Sequence, residues 1–219
     1  MKNCYLMSGL GADERAFQDF TLNHNITYLP WLVPETNETF ESYAKRMAGK
    51  ITAPMPVLIG LSFGGMMAVE IAKHIQTDKV ILISSAKTKN EIPFYYRLAG
   101  NLSIDKLLPA KILKRRGAIK NWLLGLKTSK EKKHFNMMLK ESNDLFFKWS
   151  IRCIITWQNE KVPENLYHIH GNADKTLPLK FIKANRIVKG GGHSMILNKA
   201  DEISKIVEEI LSPALPLRH

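Results

Sequence analysis

The sequence predicts an α/β fold: a mostly parallel sheet of about six strands, with helices on both faces and a helical lid insertion. Short, almost unbroken apolar runs recur along the chain, as expected of strands buried on both faces of a parallel sheet. Segments with helical spacing separate them, and parallel connections need such crossovers. Between about Lys87 and Glu160 this alternation stops, and the residues there read as a succession of helices.

The elements follow in order. CYLMSG (4–9) is the first strand, and ADERAFQDFTLNH after it reads as a turn and a helical segment. ITYLPW (26–31) is the second strand, stopped by Pro30. In ETFESYAKRMAGKI, Phe40, Tyr43, Ala44, Met47 and Ile51 recur near i, i+3, i+4, i+7 spacing, which predicts an amphipathic helix. PVLIGL (56–61) is the third strand, SFGGMMAVEIAKHI the helix after it, and KVILISS (79–85) the fourth strand. The insertion holds helix-like patches around LLPAKILKRR, AIKNWLLGL and KHFNMMLKESNDLFFKW. NLYHIHG (165–171) and NRIVKG (185–190) supply two more strands. DEISKIVEEIL (201–211) is the closing helix, with Ile203, Ile206, Val207 and Ile210 on one stripe and Pro213 and Pro216 to stop it. Residues 1–86 and 161–219 therefore form the expected core, and 87–160 a lid within the same structural domain.

Composition narrows the classes of function. At 219 residues, with 45% apolar and 24% charged residues, the chain can bury one ordinary core and is too apolar for disorder. No apolar run approaches the roughly 20 residues that span a bilayer. The apolar stretch near the N-terminus is too short for a signal peptide and soon meets Asp13 and Glu14. Cys4 and Cys153 form neither a disulfide framework nor a metal-binding pattern. The expected location is cytoplasmic, with both thiols reduced. The net charge of +12 is unusual, and the stretch from Ile104 to Phe135 holds much of the excess, including Lys114, Arg115, Arg116, Lys130, Lys132 and Lys133. Such a stretch is either a solvated helical face or an attractor of phosphates, anionic lipids or an acidic substrate.

Gly60-Leu61-Ser62-Phe63-Gly64 matches G-x-S-x-G at a strand-to-helix junction. A serine on so tight a turn presents its hydroxyl, and small neighbours let strand and helix approach closely enough to hold it. The hydroxyl becomes a useful nucleophile only when a histidine takes its proton and an acid orients that histidine. Of the seven histidines, His193 in KGGGHSM follows the last strand, where glycines allow a loop to fold over the sheet edge. His24 and His74 lie in or beside helical segments, His134 in the lid and His219 at the terminus. His168 and His170 share one face of a strand. HGNADKTLP offers Asp174 in a turn after the fifth strand. The order is Ser62, Asp174, His193.

On these residues the chain resembles the α/β-hydrolase fold family along nearly its whole length. The resemblance implies hydrolytic chemistry, with Ser62 as nucleophile, Asp174 as acid and His193 as base. It also implies an oxyanion hole made of the Phe63 N–H and a second donor from SGLGADERAF. This chain has Ser8-Gly9 where many members have His-Gly, which points to the Leu10 N–H. The first strand here corresponds to the family's third, leaving about six. No cofactor and no metal are implied.

The favoured substrate is an ester or thioester of a small to medium apolar acyl group. Phe94, Tyr95, Tyr96, Trp122, Leu123, Phe146, Phe147 and Trp149 of the lid, with Leu10, Met66 and Met195, are the expected pocket, unless these aromatics merely pack. The same triad serves acyltransferases and carbon–carbon bond hydrolases. His168, His170 and Asp174 could instead be metal ligands, but the further His and Asp of such a site are missing. A third alternative is a catalytically idle scaffold whose basic lid binds an anionic membrane or a nucleic acid, although no nucleic-acid module is recognisable. Should Asp174 not be the acid, Glu91 after the fourth strand is the replacement.

Overall fold

The computed structural model describes residues 1–102, 109–114 and 117–212. Arg115 and Arg116 of the basic stretch, the stop signals Pro213 and Pro216, and His219 lie outside the described residues. Six strands, β1 (Asn3–Met7), β2 (Asn25–Tyr28), β3 (Val57–Leu61), β4 (Lys79–Ile83), β5 (Leu166–Gly171) and β6 (Arg186–Val188), form one sheet. Its order is β2-β1-β3-β4-β5-β6, and every adjacent pair is parallel. This is the sheet that the apolar runs predict.

Period-two alternation sends neighbouring residues to opposite faces. Cys4, Leu6, Val57, Ile59, Ile81 and Ile83 pack on one side with Phe17 and with Ile203 and Val207 of the closing helix, α8 (Ala200–Leu211). Tyr5, Met7, Leu58, Val80 and Leu82 pack on the other, against α1 (Phe40–Ala48) and α2 (Phe63–Ile71). The predicted stripe of α1 is the buried one, with Tyr43, Ala44 and Met47 inside, and Thr39 caps the helix by accepting the Ser42 N–H. Helix α2 has no polar face: all nine of its residues are buried, Glu70 included. That carboxylate accepts from Trp157 Nε1 and Lys73 Nζ, both at 2.7 Å, as a buried charge requires.

Two segments differ from expectation. ADERAFQDFTLNH forms only a 3₁₀ turn, Glu14–Phe17, capped by Asp13, which also holds Arg15 through a bidentate pair. Between β4 and β5 lie α3 (Phe94–Asn101), α4 (Ala110–Leu113), α5 (Ala118–Leu124), α6 (Ser129–Glu141) and α7 (Asp144–Thr156). KHFNMMLKESNDLFFKW thus contains the end of one helix and the start of another. Asn143 accepts the Phe146 N–H at 2.9 Å, and an N-cap of this kind starts a new helix.

Candidate active site

The site begins at the junction of β3 and α2. Ser62 has φ 51° and ψ −117°, a conformation that side-chain-bearing residues avoid at a cost of order 1–3 kcal/mol. Its surroundings leave it no alternative. Its N–H donates to Ile83 O at 2.9 Å, and its carbonyl accepts from Ser85 Oγ at 2.6 Å and from Gly65 N–H at 2.9 Å. The glycines permit the approach. A Cβ on Gly60 would fall 2.2 Å from Gly64 O, and one on Gly64 would fall 2.3 Å from Met7 O. These are backbone atoms that cannot move aside, so the spacing of the motif is a steric requirement.

Ser62 Oγ lies 2.8 Å from His193 Nε2, and His193 Nδ1 lies 2.8 Å from Asp174 Oδ2. Asp174 and His193 are buried, while Ser62 is half-buried at the cavity. Burial alone would raise the pKa of Asp174. The adjacent His193 ring, with hydrogen bonds from it and from the Leu177 N–H, outweighs that, so the carboxyl sits below its ordinary value of 3.8. Its Oδ1 accepts the N–H groups of Thr176 and Leu177, both at 2.8 Å. An ionised Asp174 can only accept, so Nδ1 carries the imidazole proton and Nε2 turns its lone pair toward the Ser62 hydroxyl.

Both loops are tied to the insertion. Leu123 O at the end of α5 accepts the Thr176 hydroxyl at 3.0 Å, and Leu124 O accepts the Ser194 N–H at 2.9 Å. Gly125 follows in the left-handed region and abuts Gly192; a Cβ on Gly192 would lie 3.1 Å from Gly125 Cα. Nothing in the spacing of these residues announces the contact. Ser85 is equally silent in the sequence, being one of two serines after an apolar strand.

The remaining predicted groups are placed as follows. Leu10 lines the cavity beside Ser62, and neither its N–H nor that of Phe63 has a hydrogen-bond acceptor among the described residues. The Phe63 ring is buried and stacks on Phe40 at 5.3 Å, which fixes the backbone next to Ser62. Ser8, at the variant position of the loop, donates to Ala12 O and accepts from Trp31 Nε1, which holds the turn around Leu10. Glu91, the alternative acid, is far from this hydrogen-bonded chain in role. It accepts the N–H groups of Lys87 and Lys183, and its Oε2 lies 4.0 Å from His168 Nδ1.

His170 Nε2 lies 2.8 Å from Leu177 O and 3.5 Å from Asp174 Oδ2. A carbonyl only accepts, so this nitrogen bears the proton. His168 is fully buried, and neither ring nitrogen has a hydrogen-bond partner among the described residues. Burial, then His170 and Lys87, hold it well below 6.5, and burial likewise lowers His170. Among the described residues no three His, Cys, Asp or Glu side chains are grouped to hold a metal ion. Both cysteines are buried, and burial pushes Cys4 up to about 11 and raises Cys153 further, so neither competes as a nucleophile.

The buried histidines set an acid limit on stability. Below pH 6.5 the unfolded chain takes up a proton at His168 that the folded chain refuses, so stability falls as pH falls through this range. The slope contributed by one such proton is up to about 1.4 kcal/mol per pH unit. His168→Leu is expected to make thermal midpoints less pH-sensitive between about pH 6.5 and pH 5. An unchanged slope in melts followed by circular dichroism would remove His168 as the cause.

Ser62 and His193 open on a cavity of about 190 Å³ whose other walls are largely apolar, including Leu124, Phe135, Met138, Leu139, Phe147 and Ile196. This corrects the expected pocket, of which Leu10 and Phe147 take part. Phe146 and Trp149 instead pack with Trp31, Phe63 and Tyr43. Met66 and Met195 are buried in the core, and Trp122 is exposed. Adjacent residues on α7 point 100° apart, so Phe146 and Phe147 serve different sites. A larger cavity of about 510 Å³, beside Tyr28, Trp31 and Glu141, shares Ala12 and Met138 with this one but contains none of Ser62, Asp174 or His193.

No family model and no curated protein sequence matches the chain. Solved structures do. MenH from S. aureus is 19% identical, with a TM-score of 0.69 over 96% of this chain and 93% of its own. A lipase-esterase related protein from Clostridium acetobutylicum is 13% identical, with a TM-score of 0.71 over 95% and 94%. An enol-lactonase from Burkholderia xenovorans is 17% identical, with a TM-score of 0.64 over 97% and 92%. At these identities the likeness is one of fold.

Proposed function

Because the chain has the α/β-hydrolase fold, we propose that it is a serine hydrolase that cleaves a carboxylic ester or thioester of a small to medium apolar acyl group. The observation that carries this reading is the unbroken line from Asp174 through His193 to Ser62, with both contacts at 2.8 Å, beside an apolar cavity. His193 Nε2 takes the hydroxyl proton as Ser62 Oγ attacks the acyl carbon. The Leu10 and Phe63 N–H groups receive the oxyanion, and the N-terminus of α2 adds positive partial charge there. Protonated His193 passes its proton to the departing alcohol or thiol, which leaves an acyl-serine. Water then gives up a proton to His193, attacks the acyl carbon and releases the acid. Asp174 holds the imidazole tautomer and balances the imidazolium. Residues 87–160 act as a lid within the one domain, and they supply Leu124, Phe135, Met138, Leu139 and Phe147 to the acyl cavity.

The cavity also bounds the substrate. An apolar cavity of about 150 Å³ holds benzene, so 190 Å³ suits an acyl group of roughly six to eight carbons. With p-nitrophenyl esters of increasing length, kcat/KM is expected to rise to about that length and then fall. A fluorophosphonate probe is expected to label Ser62. An unlabelled protein would return the chain to the scaffold class, and a flat length series would detach the cavity from acyl selection.

A further inference from the structure

Large apolar side chains stand in solvent along the insertion. On α3 and its C-cap, Phe94, Leu98 and Leu102 recur at i, i+4 and i+8, and they are 62%, 54% and 63% exposed. On α5, Ile119 and Trp122 at i and i+3 are 76% and 58% exposed. Scattered exposed apolar residues are ordinary, but two helical stripes of them within one insertion are not. The loop that carries Asp174 touches both helices. Tyr95 of α3 packs edge-on against Phe181 at 6.3 Å, and Lys175 Nζ lies 3.9 Å from the Trp122 ring. Lys180 Nζ lies 5.1 Å from Phe181 in the same loop, and both lysines are exposed.

Charge selects the occupant of this face. Its loop presents Lys175 and Lys180, both exposed and each beside a ring of this face, in a chain whose net charge is +12. A second copy of the chain would bring the same excess and be repelled. A nucleic acid would answer the charge but offers no hydrocarbon to Leu98, Leu102 and Ile119. A bilayer with anionic headgroups supplies both, phosphates at the level of the lysines and acyl chains beneath. We propose that the face formed by α3, α5 and the Lys175–Phe181 loop docks this protein on an anionic lipid bilayer. Trp122 then sits at the headgroup level, where an indole with a cation above it is well placed. The docking does not depend on the hydrolase reading, because it uses none of Ser62, Asp174 and His193.

Sedimentation of the full-length protein with vesicles tests the docking. Vesicles of equimolar phosphatidylcholine and phosphatidylglycerol are expected to carry it down, and vesicles of phosphatidylcholine alone are not. The variant Phe94→Gln/Leu98→Gln/Ile119→Gln keeps every charge and uses a residue that helices tolerate. It is expected to partition at least about tenfold more weakly, because the buried hydrocarbon is gone. The single Ile119→Gln variant, at the most exposed of these positions, repeats the comparison with no packing at stake. Equal sedimentation of wild type and both variants would mean attraction by bulk charge alone and would overturn the docking face. Equal binding to phosphatidylcholine vesicles would overturn the role of the lysines. Binding to a single-stranded RNA that the glutamine variants weaken just as much would assign the face to nucleic acid instead.

Discussion

Ser62→Ala is expected to lower turnover of a p-nitrophenyl acyl ester by about 10⁵- to 10⁶-fold while leaving the fold and ester binding largely intact. The hydroxyl is the one group with no substitute. His193 Nε2 faces Ser62 Oγ at 2.8 Å, and the buried thiols of Cys4 and Cys153 are protonated and lie in the packed interior. Removing one oxygen from a half-buried position opens no cavity, so the thermal midpoint should change little. Alanine keeps the backbone strain of the positive φ, so the substitution relieves none of it. Steady-state kinetics on the purified variant, with a mock purification as the floor, measures this directly. Retained esterase activity would move the nucleophile elsewhere.

Asp174→Asn is expected to cut the rate by up to ~10⁴-fold with the fold preserved. The hydrogen bonds around the carboxylate give the reason. Oδ1 already accepts two backbone N–H groups, from Thr176 and Leu177, so the carbonyl oxygen of an asparagine must occupy that position. Its amide nitrogen then faces His193 Nδ1, and also His170 Nε2, which itself carries a proton. Donor facing donor forces His193 into the tautomer with Nε2–H, which has no lone pair for the Ser62 hydroxyl. Because Asp174 is held below 3.8, its ionisation persists in the wild type across neutral and mildly acidic pH. The loss in the variant should therefore be seen at every pH from about 5 upward. Unchanged turnover would displace Asp174 as the acid. Glu91 could not simply replace it, since both its oxygens are taken by backbone N–H groups beside His168.

Much of this was legible in the residues. The inner strands β1, β3 and β4 could be read because each is a buried apolar run flanked by turns, and the parallel sheet followed from their continuity. The edge strands β2 and β6, by contrast, are short and largely exposed. The elbow was legible for a steric reason, since Gly60 and Gly64 each sit where a Cβ would strike backbone. The order of Ser62, Asp174 and His193 predicted partners that do meet. What the sequence withheld is set by contacts distant in the chain. Ser85 supports Ser62 through a hydroxyl that resembles any other serine. The cavity walls escaped because helices of the insertion pack on more than one side. Phe146 and Phe147 are equally aromatic, and only the seating of α7 decides which one reaches the cavity. Helix α2, buried all round, has no amphipathic period to display.

The contact between α5 and the two loops has a consequence for how such a protein can change. Leu123 and Leu124 offer carbonyls to Thr176 and Ser194, and Gly125 leaves room for Gly192. Backbone carbonyls tolerate almost any side chain, so residue 123 is free to drift, whereas Leu124, which also lines the cavity, the two glycines and the hydroxyl at 176 are not. Inheritance at these places is therefore joint. A chimera that receives the insertion of a distant relative must receive that relative's acid and histidine loops as well, or the imported helix will end where no partner waits for it.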